Sequence, residues 1–166
     1  MKLRDFRKED SAVIGSWVRD EKSLYQWSAD TINKFPLGDD DLNRQFETGF
    51  PGKSAIPLTA VDEDGNVVGH LFIRYPDAAD KSVVRFGYVI VDPELRGRGK
   101  GREMLELAID YAGNVLGASR ATLGVFTNND SARRCYESVG FRPLGSRIYK
   151  MPIGEWECME MERSLI

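Results

Sequence analysis

The chain has 166 residues, 42% of them hydrophobic and 10% aromatic, which predicts one domain over residues 1–166 with enough apolar area for a core. Its 23 Lys+Arg nearly balance 26 Asp+Glu, and this balance with recurring Leu, Ile, Val and Phe excludes intrinsic disorder. A formal charge of −3 gives no global attraction to nucleic acid or an anionic membrane, so any anionic ligand must be held by a local basic cluster.

Leu3 to Phe6 reads as a short opening strand. Val13, Ile14, Trp17 and Val18 then fall on one helical face. The chain breaks at Pro36-Leu37-Gly38, and Asp39 to Asp41 supply an acidic start for a helix through Leu42 and Phe46. Two early helices and a loop are expected. Apolar runs before and after Asp64-Gly65, between Ala55 and Tyr75, read as a hairpin with a primed turn. Val83 to Val91 is β-branched and aromatic and is ended by Asp92-Pro93, so a central strand closes at Val91. Gly87 in its middle points to a bulge or a close backbone approach. Met104, Leu105, Ala108, Ile109, Ala112, Val115 and Leu116 trace one helical face, with Gly117 as C-cap. A short strand over Ala121 to Phe126, a helix over Asp130 to Val139 closed by Gly140, and strands after Arg142 and around Glu155 to Glu162 complete the order. The class is α/β, a mixed central sheet of about 6–7 strands flanked by about four helices.

Arg96-Gly97-Arg98-Gly99-Lys100-Gly101-Arg102 lies between the central strand and the long helix. Alternate glycines let the backbone turn tightly, and the first turn of a helix leaves N–H groups unpaired; together they form a pocket for phosphate oxygens. Four cations at a helix N-terminus work against its dipole, a penalty that a bound polyanion reverses. The segment lacks the Ser or Thr of a Walker A loop, and its Gly-x-Gly-x-Gly spacing in mid-chain is not the dinucleotide fingerprint.

Arg96-x-x-Gly99-x-Gly101 after Asp92-Pro93-Glu94, followed by Asn129-x-x-Ala132-x-x-x-Tyr136-x-x-x-Gly140-Phe141, resembles the two signatures of the GNAT superfamily of N-acetyltransferases. The resemblance spans about Leu58 to Arg147 and implies a single-domain GNAT fold that uses acetyl-CoA as co-substrate. It implies that Val89, Ile90 and Val91 pair with the pantetheine arm, that Arg96, Gly97, Arg98, Gly99, Lys100, Gly101 and Arg102 hold the pyrophosphate, and that Asn129 contacts the cofactor near its thiol arm. Asn129 also suits the N-cap of the helix that follows. By the same resemblance Tyr136 is the general acid that protonates the departing thiolate; a phenol keeps its proton at neutral pH. Many members carry a glutamate base on the central strand, whereas this chain has Arg85-Phe86-Gly87-Tyr88 there, which leaves the base open between a water chain, a carboxylate from an early loop and none.

The implied activity is acetyl transfer from acetyl-CoA to a primary amine, either a protein N-terminus or a small molecule; the alternative is a non-catalytic CoA-ester-binding module of the same fold. Phrases around Phe86 to Val91 and Asp130 to Tyr136 are similar to the branch that acetylates ribosomal-protein N-termini and small amines. The acceptor side of the cleft is implied to involve Trp27, Phe35 and Gly87, with Tyr25 and Asp39 to Asp41 as weaker candidates. The N-terminus has no signal-peptide core and no stretch nears the roughly 20 apolar residues of a membrane span, so a soluble, cytoplasmic protein with no membrane or nucleic-acid partner is expected. Cys135, Cys158 and the single His70 are too few for a disulfide framework or a metal cluster, so free thiols and no metal are expected. The alternating run Trp156 to Met161 suits an edge strand within the chain or pairing with a second copy, leaving monomer and homodimer both open.

Overall fold

The computed structural model describes residues 1–50 and 54–166. Its strands are β1 (Lys2–Asp5), β2 (Ala55–Val61), β3 (Val67–Arg74), β4 (Val83–Val91), β5 (Arg120–Phe126), β6 (Arg142–Met151) and β7 (Gly154–Ser164). The helices are α1 (Asp10–Ser16), α2 (Glu21–Ser28), α3 (Asp41–Thr48), α4 (Lys100–Asp110) and α5 (Asp130–Ser138). A π-helical turn, Tyr111–Val115, carries the apolar face of α4 onward to Gly117, whose φ of +71° closes it. The seven strands form one sheet in the order β1-β2-β3-β4-β5-β7-β6. Only β4 and β5 run parallel, so the sheet is mixed, as expected.

Two expectations are corrected. Among the described residues between β1 and β2 there are three α-helices, not two: Asp20 accepts from Ser23 N at 2.6 Å and caps α2, a helix whose buried positions Leu24, Tyr25 and Ser28 make too short a stripe to read by period. The β2–β3 connection is a five-residue loop over 62–66 rather than a two-residue primed turn. A type I′ turn needs positive φ at both central residues, and here only Gly65 has it. The Asp62 carboxylate organises the loop instead, accepting from the N–H groups of Asp64 and Asn66.

Alternation on the strands separates two cores. Leu71, Ile73, Val84, Phe86, Leu123 and Met161 face α4 and α5 and meet Met104, Leu105 and Phe141. Phe72, Tyr88, Ile90, Phe126 and Cys158 face the other way, toward Ile14, Leu24 and Leu42 of α1 to α3 and Trp17, the C-cap of α1. The early helices thus cover one face of the sheet and the later ones the other.

The centre of the sheet is irregular. His70 pairs with Ile90 and Phe72 with Gly87, so β4 spends one more residue than β3 between the two pairs. This bulge contains Tyr88, which takes a φ of +52°. Gly87 beside it is approached so closely by Phe72 that a Cβ would stand 2.2 Å from Phe72 Cζ. Bulge and close approach, offered as alternatives for Gly87, occur side by side.

Candidate active site

β4 and β5 pair only through Val83 with Arg120, Val84 with Ala121 and Arg85 with Thr122. Beyond Arg85 they part. β5 continues to pair with β7 as far as Phe126, while the edge of β4 that faces β5 is left without a strand partner. A cleft of about 870 Å³ opens there, lined by Gly87 to Val91, Leu123 to Phe126, α2, the glycine turn and α5. Free strand edges offer backbone N–H and C=O groups to an extended ligand with amides of its own.

At the end of β4 the chain makes a 3-10 turn, Pro93–Leu95, capped by Asp92, which accepts from Glu94 N at 2.9 Å. Gly97 and Gly99 both take a φ of +74°, and nothing lies within 4 Å of where their Cβ atoms would stand. Their absence of side chain therefore serves the turn rather than space. Gly99 is the N-cap of α4 and supplies no side-chain cap, so the first N–H groups of α4 remain available to an anion. Lys100 and Arg102 are held along the helix by Glu103 at 3.3 Å and Glu106 at 2.9 Å, whereas Arg96 has no ion-pair partner among the described residues.

Of the implied cofactor residues, Val89, Ile90, Val91, Arg96, Gly97, Gly99, Lys100, Gly101, Arg102 and Asn129 line the cleft. Arg98 does not: between two left-handed glycines its side chain is turned to solvent. Asn129 lines the cleft and, as N-cap of α5, accepts from Ala132 N at 3.3 Å, so the capping expected of it is present.

Tyr136 on α5 also lines the cleft, 7% exposed. Burial, with a smaller effect of Cys135, raises its pKa above the ordinary phenol value, so the hydroxyl keeps its proton. Thiols in the same cleft respond alike: burial foremost, then Glu160, pushes Cys158 up to about 11. Both cysteines are free.

Trp27, Phe72, Tyr88 and Phe50 form an aromatic wall of the cleft, with Trp27 and Tyr88 rings 4.9 Å apart. The Trp27 indole N–H is buried without a partner. Burial raises the Tyr88 pKa to about 12, and its hydroxyl is bonded to Thr31 Oγ1. Trp27 and Gly87 line the cleft. Phe35 and Tyr25 do not line the cleft; Tyr25 belongs to the core between α1 to α3 and the sheet, and Phe35, partly buried, packs against it. Asp39 to Asp41 lie outside the cleft too, Asp41 accepting from Gly38 N at 2.6 Å and meeting Lys34 at 3.1 Å as a helix start.

Four charged residues at the sheet end of the cleft were missed by the sequence reading: Arg74, Arg85, Arg147 and their neighbour Glu160. They lie on β3, β4, β6 and β7, and only strand register brings them together. Arg85 holds Glu160 through two contacts of 2.7 and 3.1 Å, and Arg147 reaches the same carboxylate at 3.3 Å. Among the described residues lining the cleft the single carboxylate is that of Asp30, which is exposed. No glutamate or aspartate is placed as a general base on the central strand.

A family profile described as "Acetyltransferase (GNAT) family" matches residues 21–141. The mycothiol acetyltransferase of Beutenbergia cavernae is 36% identical over 101 residues, 61% of this chain and 32% of that protein. The L-amino acid N-acetyltransferase AaaT of Escherichia coli is 32% identical over 94 residues, 56% of this chain and 58% of that protein. The matches therefore span about a third to a little over half of those relatives. The crystal structure of spermidine N-acetyltransferase from Vibrio cholerae in complex with CoA and spermine superposes with a TM-score of 0.80 over 99% of this chain and 95% of that one, at 18% identity, which is a likeness of fold.

Proposed function

Because this chain belongs to the GNAT acetyltransferase family, we propose that it transfers the acetyl group of acetyl-CoA to a primary amine, on a small molecule or a protein N-terminus, by direct attack in the cleft between β4 and β5. The observation that carries the reading is the parting of β4 from β5 directly beside the uncapped N-terminus of α4, with Tyr136 in the same cleft.

In this reading the edge of β4 from Val89 to Val91 pairs with the amides of the pantetheine arm. The N–H groups at the start of α4, with Arg96, hold the pyrophosphate. Asn129 lies beside the thiol arm. The neutral amine attacks the thioester carbonyl, its lone pair forming the C–N bond while the carbonyl electrons move to oxygen. Collapse of the tetrahedral intermediate breaks the C–S bond, and the sulfur takes the proton of Tyr136 while the new amide loses its extra proton to water. A phenol is ordinarily a weaker acid than a thiol. A cleft that raises buried thiols, as it does Cys158, raises Tyr136 as well, so the phenol stays the weaker acid, and the proton moves as the C–S bond breaks because the cleft disfavours a free thiolate.

The lack of a buried carboxylate among the described residues lining the cleft favours a second reading, a module that binds a CoA ester without turning it over. Titration calorimetry with acetyl-CoA, followed by assay of free thiol release with pooled amines, separates them. Micromolar binding with amine-dependent release is expected. Binding without release would favour the second reading, and no binding would overturn both.

A further inference from the structure

Arg74, at the end of β3, is half-buried and lines the cleft at the end remote from the glycine turn. Its antiparallel partner in register is Arg85, and like charges directly opposite one another on a sheet are destabilising. Glu160 is gripped by Arg85 and Arg147. Among the described residues Arg74 has no ion-pair partner of its own. The guanidinium stays charged in any protein setting, and here burial first, then Arg85, works against that charge, with Glu160 acting in its favour. A local rule is broken without local compensation, at the floor of a cleft, in a position where an anionic ligand would remove the penalty.

The rest of the compartment narrows the ligand. Six residues of strand, roughly 20 Å, separate Arg85 from Val91, so the Arg74 end is distinct from the phosphate end. Three arginines with one glutamate make this end net positive, which disfavours a polyamine with several ammonium groups. The aromatic wall of Trp27, Phe72 and Tyr88 suits an apolar substituent.

We infer that the acceptor is a primary amine bearing its own carboxylate, of the α-amino-acid type, with Arg74 as the residue that binds the carboxylate and an apolar side chain against the Trp27–Tyr88 wall. This rests on the acetyltransfer reading above and selects among its acceptors. The same positive field lowers the pKa of a nearby ammonium, which supplies neutral amine where no carboxylate base is placed.

The test is thiol release from acetyl-CoA with leucine, methionine and phenylalanine, each against its own carboxamide, together with spermidine and a short peptide with a free N-terminus and amidated C-terminus. At least one amino acid is expected to exceed its amide by roughly 10- to 100-fold in kcat/KM, through KM, the range for a charged hydrogen-bonded pair. Arg74→Met should bring that ratio to about 1 and Arg74→Lys to an intermediate value; if the Met variant does not fold, the Lys variant carries the comparison. Amides, spermidine or the peptide serving as well as the acids would overturn the inference alone, as would an unchanged ratio in a folded Arg74 variant. Release from no amine, with acetyl-CoA still bound, would overturn the transferase reading and this inference with it.

Discussion

Arg85 of β4 binds Glu160 of β7 across an intervening strand, with both terminal guanidinium nitrogens on the carboxylate at 2.7 and 3.1 Å. The contact crosses β5 at Gly124, where a Cβ would stand 2.9 Å from Arg85 Nη2, 3.0 Å from Cys158 Sγ and 3.3 Å from Glu160 Oε1. Gly124→Val should therefore part the ion pair and displace Cys158, costing roughly 1–3 kcal/mol. Thermal unfolding should show a Tm lower by several degrees. A Tm unchanged to within a degree would mean that the pair does not need the gap.

Tyr136→Phe removes a hydroxyl and keeps the ring that meets Phe141 at 6.3 Å. Turnover should fall by about 10²-fold or more while acetyl-CoA binding by calorimetry changes little. Equal turnover would take Tyr136 out of the reaction.

Arg96 and Lys100 should differ although both line the end of the cleft proposed for the pyrophosphate. The Lys100 ammonium already has Glu103 at 3.3 Å, so a ligand phosphate must compete for it, whereas Arg96 has no such competitor. Arg96→Ala should weaken acetyl-CoA binding roughly 10-fold at low salt, with a smaller loss for Lys100→Ala, and both losses should shrink as salt screens them. The opposite ranking would place the pyrophosphate nearer Lys100.

His70 is fully buried between Phe6 and Phe46, at centroid distances of 5.5 Å from each, and neither ring nitrogen finds a partner in hydrogen-bond geometry, the Leu58 backbone and the Asp10 charge being its polar neighbours. Burial lowers its pKa from 6.5 to about 3. Between those values the unfolded chain holds a proton that the folded chain does not, so stability is full above about pH 6.5. It falls by up to about 1.4 kcal/mol for each pH unit below that, until about pH 3. Asp10 acts in a lower window. Burial raises its pKa, but hydrogen bonds from Arg4, Arg7 N–H and Thr59 outweigh this and leave it below 3.8, so its contribution is lost only as pH falls under that value. His70→Phe should flatten the slope between pH 6 and 4 in denaturant titrations and raise Tm at pH 5. An undiminished slope would assign the acid sensitivity elsewhere.

What was legible in the sequence follows from what acts locally. The strand to Val91, the glycine turn and the apolar face of the helix carrying Met104 are adjacent in the chain, and each is written in residue types that leave few alternatives. Asn129 and Tyr136 came from the family resemblance, whose second signature covers both because they sit seven residues apart on one helix and its cap. Arg74, Arg85, Arg147 and Glu160 were not, since their meeting depends on the register of four strands and on the missing side chain at Gly124. Phe35 was misplaced for a related reason: an aromatic in an early loop serves a core or a cleft equally well until the packing of α1 to α3 decides. The turn at Asp64-Gly65 was read from its glycine, when the residue that shapes it is Asp62.

The parting of β4 and β5 bears on more than ligand placement. Within the sheet, the half made of β1 to β4 is joined to the half made of β5 to β7 through three residue pairs, Val83 to Arg85 against Arg120 to Thr122. A ligand lying in the gap touches both halves and acts as a strut between them, so its binding energy adds to the cohesion of the whole sheet and the midpoint of unfolding should climb with its concentration. The amide hydrogens of Val89 and Val91, which alternate away from β3, should exchange quickly in the free protein and slow when the gap is filled, reporting occupancy from within the backbone.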